Sequence, residues 1–176
     1  MMGWEIVGKY PDDIKKFIIV GAPHTSNWDF VVAVFMKFIT GVDANFVAKK
    51  SLFDSPFGFV FKALGGVPVD RSKSKNLVQA IIDIFNSRDK FILAMSPEGT
   101  RTKTEKWKTG FYHIALGANI PIIFNTFDFG RKRYFISEPY FLTGDQEKDF
   151  LYFHNFYKDI KGKFPDQFEP DFHKNI

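Results

Sequence analysis

The chain has 176 residues, 45% hydrophobic and 25% charged, which suits one globular domain with a single sizeable core. It holds no cysteine, so disulfides, thiolate metal sites and a cysteine nucleophile are excluded, and a reducing compartment is expected. The net charge of +4, from 24 basic and 20 acidic residues, points to an anionic partner such as a phosphate, a coenzyme tail or an acidic bilayer, and is too small and dispersed to indicate nucleic acid.

In chain order, "MMGWEIVGKYPDD" lacks the basic-then-apolar layout of a secretory signal, and no window reaches the ~18 to 20 apolar residues that span a bilayer. A cytoplasmic protein is expected, with any membrane contact peripheral and on the inner face. "FIIVG" (17–21) predicts a buried strand. A helix follows from about Asn27, capped by Ser26 or Asn27 and stopped by Gly41. "NFVAK" (45–49) predicts a second strand, "SPFGFVFKALGG" a short helix ended by Gly65 and Gly66, and "VPVD" (67–70) a brief strand. Leu77, Ile81, Ile84 and Phe85 fall at helical spacing behind a Ser74 cap. "KFILAM" (90–95) predicts a strand, 109–118 a helix and 120–129 another strand. "RKRYFISEPYFL" reads as one more strand after a turn at Gly130.

Phe150, Phe153, Tyr157, Ile160 and Phe164 then recur at three- and four-residue steps, predicting an amphipathic helix that either packs on the sheet or faces lipid. With 23 phenylalanines in the chain, an apolar groove or lipid-facing surface is a further expectation. Strands alternating with helices predict a single α/β domain over 1–176. Its sheet is mainly parallel and flanked by helices, with an antiparallel strand near the C-terminal end; the C-terminal strand and helix span about 131–164.

Ligands of such sheets gather where strands end and helices begin. The stretch "GAPHTSNWDF" (21–30) lies at such a place. On one continuous helix His24 and Asp29 would diverge by roughly 140°, so they meet only if His24 lies in the loop and Asp29 in the first helical turn. Asp29 then either orients the imidazole for general-base work or closes a capping box with Ser26. In "SPEGTR" (96–101), Pro97 and Gly99 make a tight turn whose N–H groups can converge on an anion; Thr100 and Arg101 add donors, and Glu98 can hold the arginine. Taken alone, that loop also reads as a surface turn, and Arg71 as a solvated partner of Asp70.

Together these stretches resemble the glycerolipid acyltransferases, the lysophosphatidic acid acyltransferase family. "HTSNWD" resembles that family's H-x-x-x-x-D motif, "GGVPVDR" its second block, "SPEGTR" its F-P-E-G-T-R block, "KTGFYHIA" its lysine–glycine stretch and "IPII" its V-P-V block. The likeness runs from about Phe17 to Ile123 in the family's order. It implies transfer of an acyl group from acyl-CoA or acyl-carrier protein to a hydroxyl of a lysophospholipid or glycerol-phosphate-type acceptor, with no metal and no cofactor beyond the donor. By motif position, His24 is the general base and Asp29 its orienting partner. Arg71, Glu98, Gly99, Thr100 and Arg101 form the phosphate-binding set.

The sequence departs from the family pattern in three places. Ser96 stands where a phenylalanine is common, Asn27-Trp28 makes a bulky spacer, and the N-terminal membrane segment of many members is not evident. Other acceptors, a non-catalytic lipid- or carrier-binding role and thioester hydrolysis therefore stay open. His113 is expected to be packed, His154 to lie on the polar side of its helix, and "RKR" (131–133) to be a solvated turn; His113, His154 and His173 make no metal spacing.

Overall fold

The computed structural model describes residues 3–69 and 77–169. In chain order the elements are β1 (Glu5–Val7), β2 (Lys16–Gly21), α1 (Asn27–Thr40), β3 (Ala44–Lys49), α2 (Lys50–Phe53), α3 (Gly58–Ala63), β4 (Gly66–Val69), α4 (Leu77–Ser87), β5 (Phe91–Met95), α5 (Gly110–Ala118), β6 (Ile122–Asp128), β7 (Arg133–Ile136) and α6 (Gln146–Tyr157).

The seven strands form one sheet in the order β1-β7-β6-β2-β5-β3-β4. Every pairing is parallel except β6 with β7. This is the expected α/β architecture with an antiparallel strand late in the chain. β2 is central and buried on both faces, which its unbroken apolar run anticipates. Its pleat sends Ile18 and Val20 into a core with α4, α5 and α6, and Phe17 and Ile19 into a second core with Met36 of α1.

Local chemistry sets the element ends. Ser26 caps α1, accepting from Trp28 N, and Gly41 closes it in the left-handed region at φ 69°, a conformation that costs glycine least. Gly65, at φ 91°, turns the chain from α3 into β4.

Three expectations need correcting. Gly66 opens β4 rather than ending the preceding helix. β7 covers only four residues, and the chain beyond it returns to the sheet through a single bridge between Tyr140 and Ile122. α6 ends at Tyr157, so Ile160 and Phe164 lie past it: Gly162 and Pro165 disfavour helix, and Lys161 O is engaged instead by Phe129 N at 2.9 Å. The helix itself packs on the sheet, burying Phe150, Phe153 and Tyr157. Two short elements, β1 and α2, carry no periodic signal in three and four residues. The end of the expected strand at Asp70 and the Ser74 cap lie outside the described residues.

The register of β2 against β5 positions the site. Val20 lies opposite Met95, so the loops that begin at Ala22 and Ser96 leave the sheet side by side at its carboxyl edge.

Candidate active site

His24 lies in the loop after β2, and Asp29 in the first turn of α1. Asp29 is almost wholly buried, and its Oδ2 accepts from the backbone N–H groups of Thr25 and Ser26, each at 2.8 Å. The same oxygen lies 3.2 Å from His24 Nδ1. Capping and histidine pairing, posed as alternatives, are therefore performed together by one oxygen. The two N–H bonds hold the carboxylate in place independently of the imidazole. The ring itself keeps 28% of its surface exposed.

The loop after β5 braces the histidine from below. Glu98 is buried, and its Oε2 accepts from His24 N at 2.8 Å, so it holds the histidine backbone instead of gripping Arg101. Burial pushes the Glu98 carboxyl up to about 8, the neighbouring Asp29 charge adds to the rise, and the His24 N–H bond opposes it. Glu98 Oε1, Asp29 Oδ1 and Ser96 Oγ are buried with no hydrogen-bond partner among the described residues. These three buried, unpaired polar atoms lie around two adjacent loops, although buried polar groups are ordinarily paired.

Gly99 is exposed and left-handed at φ 64°. A Cβ built there would lie 2.6 Å from Lys108 Nζ, so the absence of a side chain lets this ammonium lie across the turn. The approach is fixed by Lys108 N, which donates to Pro97 O at 2.7 Å. Lys108 was missed as an individual residue, although the lysine–glycine stretch contains it. The Arg101 guanidinium is exposed and donates to the Asn27 side chain at the start of α1. Thr100 shares its hydroxyl with that of Thr102 at 2.9 Å. Thus His24, Asp29, Glu98, Gly99 and Arg101 share one edge of the sheet. Arg71 lies outside the described residues.

Segment 158–169 also meets this edge, with no signal in the sequence to announce it. Phe164 N donates to Thr25 Oγ1 at 3.2 Å, and Lys163 Nζ sits 4.7 Å from the Trp28 ring centre. Elsewhere, His113 is exposed on α5 with an edge contact to Tyr112, not packed as expected. Arg131 pairs with Asp128 and lies with Lys132 in an exposed turn, whereas Arg133 is not part of that turn: it opens β7 and pairs with Glu5 of β1. Among the described residues no group of three His, Asp or Glu side chains would hold a metal ion, and no helix is long and apolar enough to cross a membrane.

A family model described as Acyltransferase matches residues 8–124. Three curated relatives carry the name 1-acyl-sn-glycerol-3-phosphate acyltransferase. The one from Salmonella typhimurium is 31% identical over 132 residues, that from Haemophilus influenzae 32% over 133 and that from Escherichia coli 30% over 132. Each alignment covers 70% of this chain but only 52%, 53% and 52% of the respective relative, so the chain spans about half their length. No solved structure matches.

Proposed function

The chain belongs to the acyltransferase family, and from that premise we propose that it moves an acyl group from acyl-CoA or acyl-carrier protein to a hydroxyl of a lysophospholipid or glycerol-phosphate-type acceptor, with His24 as general base. The observation that carries this reading is the approach of His24 Nδ1 to an Asp29 carboxylate already tied by two backbone N–H groups. A carboxylate at Nδ1 favours the tautomer with its proton on that atom, leaving Nε2 to take the acceptor's proton.

The deprotonating hydroxyl oxygen attacks the thioester carbonyl and forms a C–O bond. The resulting tetrahedral oxyanion collapses, the C–S bond breaks, and the departing thiolate takes the proton held by the imidazolium. Asp29 stabilises that imidazolium while it lasts. A thioester is already activated, so the step as written needs neither a covalent enzyme intermediate nor a metal. Arg101 and Lys108 supply positive charge beside the Gly99 turn for the acceptor's phosphate, and Arg71 joins them by motif position.

The acceptor's lipid character also suits the outer face of α1. Trp28, Val31, Phe35, Phe38 and Ile39 are exposed at i, i+3, i+7, i+10 and i+11, with Phe38 71% exposed. Phe57 and Phe59 are exposed at the start of α3. The α1 stripe begins at Trp28, next to Asp29 and beneath the Lys163 ammonium, so it is continuous with the site. This face rests on an anionic bilayer that presents the acceptor, and the protein is peripheral to the cytoplasmic leaflet.

Purified protein incubated with acyl-CoA and acyl-carrier donors and a lysolipid panel, read by mass spectrometry, tests the assignment. An acylated phospholipid is expected. Free fatty acid alone, whatever acceptor is added, would make the protein a thioesterase, and bound but unchanged donor would make it a binding protein.

A further inference from the structure

The polypeptide beyond α6 runs across both loops that carry the proposed chemistry. It is anchored by Phe168, which is 8% exposed and belongs to the main core, and by an ion pair between Lys103 Nζ and Glu169 Oε2 at 3.1 Å. Within it Gly162 is buried against the histidine loop: an added Cβ would lie 2.7 Å from Thr25 Oγ1 and 3.0 Å from Thr25 Cγ2. Two residues on, Phe164 N donates to that same hydroxyl. The Gln167 amide faces two carbonyl oxygens, so its nitrogen is the end turned toward them; it donates to Arg101 O at 2.6 Å and Thr25 O at 2.9 Å.

Those carbonyls belong to different loops. Thr25 follows His24, and Arg101 carries the exposed guanidinium, so a single –NH2 group links the backbone next to the proposed base to the backbone of the proposed phosphate ligand. We propose that Gln167 and Gly162 are positioning residues that set the spacing between His24 and Arg101. The inference rests on the proposed roles of those two residues. Gln167 acts by satisfying both carbonyls at once, and Gly162 by letting the strap approach close enough for Gln167 to reach them. Neither touches substrate. A base and a phosphate clamp that drift apart by an ångström hold the hydroxyl in a poor position for attack, with losses of roughly tenfold to a hundredfold.

The test is a kinetic cycle on the full chain, using acyl-CoA and lysophosphatidic acid. Gln167→Ala is expected to lower kcat about tenfold, with the donor KM unchanged. Gln167→Glu, which turns an oxygen toward both carbonyls, should lose as much. On an Arg101→Ala background the Gln167→Ala change should cost less than about twofold, because spacing to an absent guanidinium no longer matters. Gly162→Ala, the second variant, should follow the same pattern. Wild-type kcat in Gln167→Ala, or equal losses with and without Arg101, would overturn the inference. Those results are distinct from failure of the underlying reading, which would appear as full activity in His24→Ala.

Discussion

Asp29 Oδ2 serves three partners, and substitutions can separate its tasks. Asparagine can place a carbonyl oxygen where Oδ2 lies and still accept from Thr25 N and Ser26 N, but it carries no charge to stabilise an imidazolium. At the third position of a capping box a neutral amide also serves, so Asp29→Asn should cost about 1 kcal/mol or less of stability while lowering kcat on the order of a hundredfold. Chemical denaturation and steady-state kinetics on one preparation check both halves; parallel losses would mean that the carboxylate is only a cap.

Glu98 gives a prediction in pH. Its folded-state value of about 8 stands above the ordinary 4.5, so the protonated form favours the native state. That stability is fully present below about 4.5 and is lost as pH rises toward 8. Glutamine keeps an oxygen for His24 N and does not titrate, so Glu98→Gln should show a flatter Tm profile than wild type between pH 5 and 8. Parallel profiles would contradict the assignment. At the Gly99 turn, Lys108→Met should raise the acceptor KM several-fold with little change in kcat, because the ammonium lies across the turn assigned to the acceptor's phosphate. An unchanged KM would remove Lys108 from the phosphate set.

At the scale of elements, α1 has two faces with different tasks. Its N-terminus holds the site through Ser26 and Asp29, and its inner face packs Met36 against the sheet. The outer stripe is exposed, with the Lys163 ammonium over Trp28 at one end, and so many exposed rings on one helix are costly in water. Replacing Phe35 and Phe38 together with serine should weaken binding to vesicles of anionic phospholipid at least about tenfold, without lowering turnover of a micelle-free short-chain acceptor. Cosedimentation and kinetics check this, and undiminished vesicle binding would mean that another surface meets the bilayer.

For the whole molecule, the legible parts were those whose causes are local. The apolar run of β2 announced a strand buried on both faces, and Ser26 and Gly41 announced both ends of α1. The candidate site's placement was legible where short motifs concentrate: His24, Asp29, Glu98, Gly99 and Arg101 stand on two loops at the carboxyl edges of neighbouring strands, and the β2–β5 register brings these loops together. What stayed hidden depends on distant contacts. Gln167 meets Thr25 across more than a hundred residues, and nothing in "FPDQFEP" specifies that meeting. The helical spacing of Ile160 and Phe164 suggested a longer α6, yet the strap's bonds to Phe129 and Thr25 prevailed. Glu98 was placed among the phosphate ligands because its motif travels with Arg101; its burial under His24 appears only once the sheet is assembled.

The most direct measurement is the single-turnover rate of acyl transfer from acyl-CoA to lysophosphatidic acid by purified His24→Ala protein, with its fold verified by circular dichroism. A loss of at least about a hundredfold is expected, with native secondary structure retained. Transfer at the wild-type rate would contradict it.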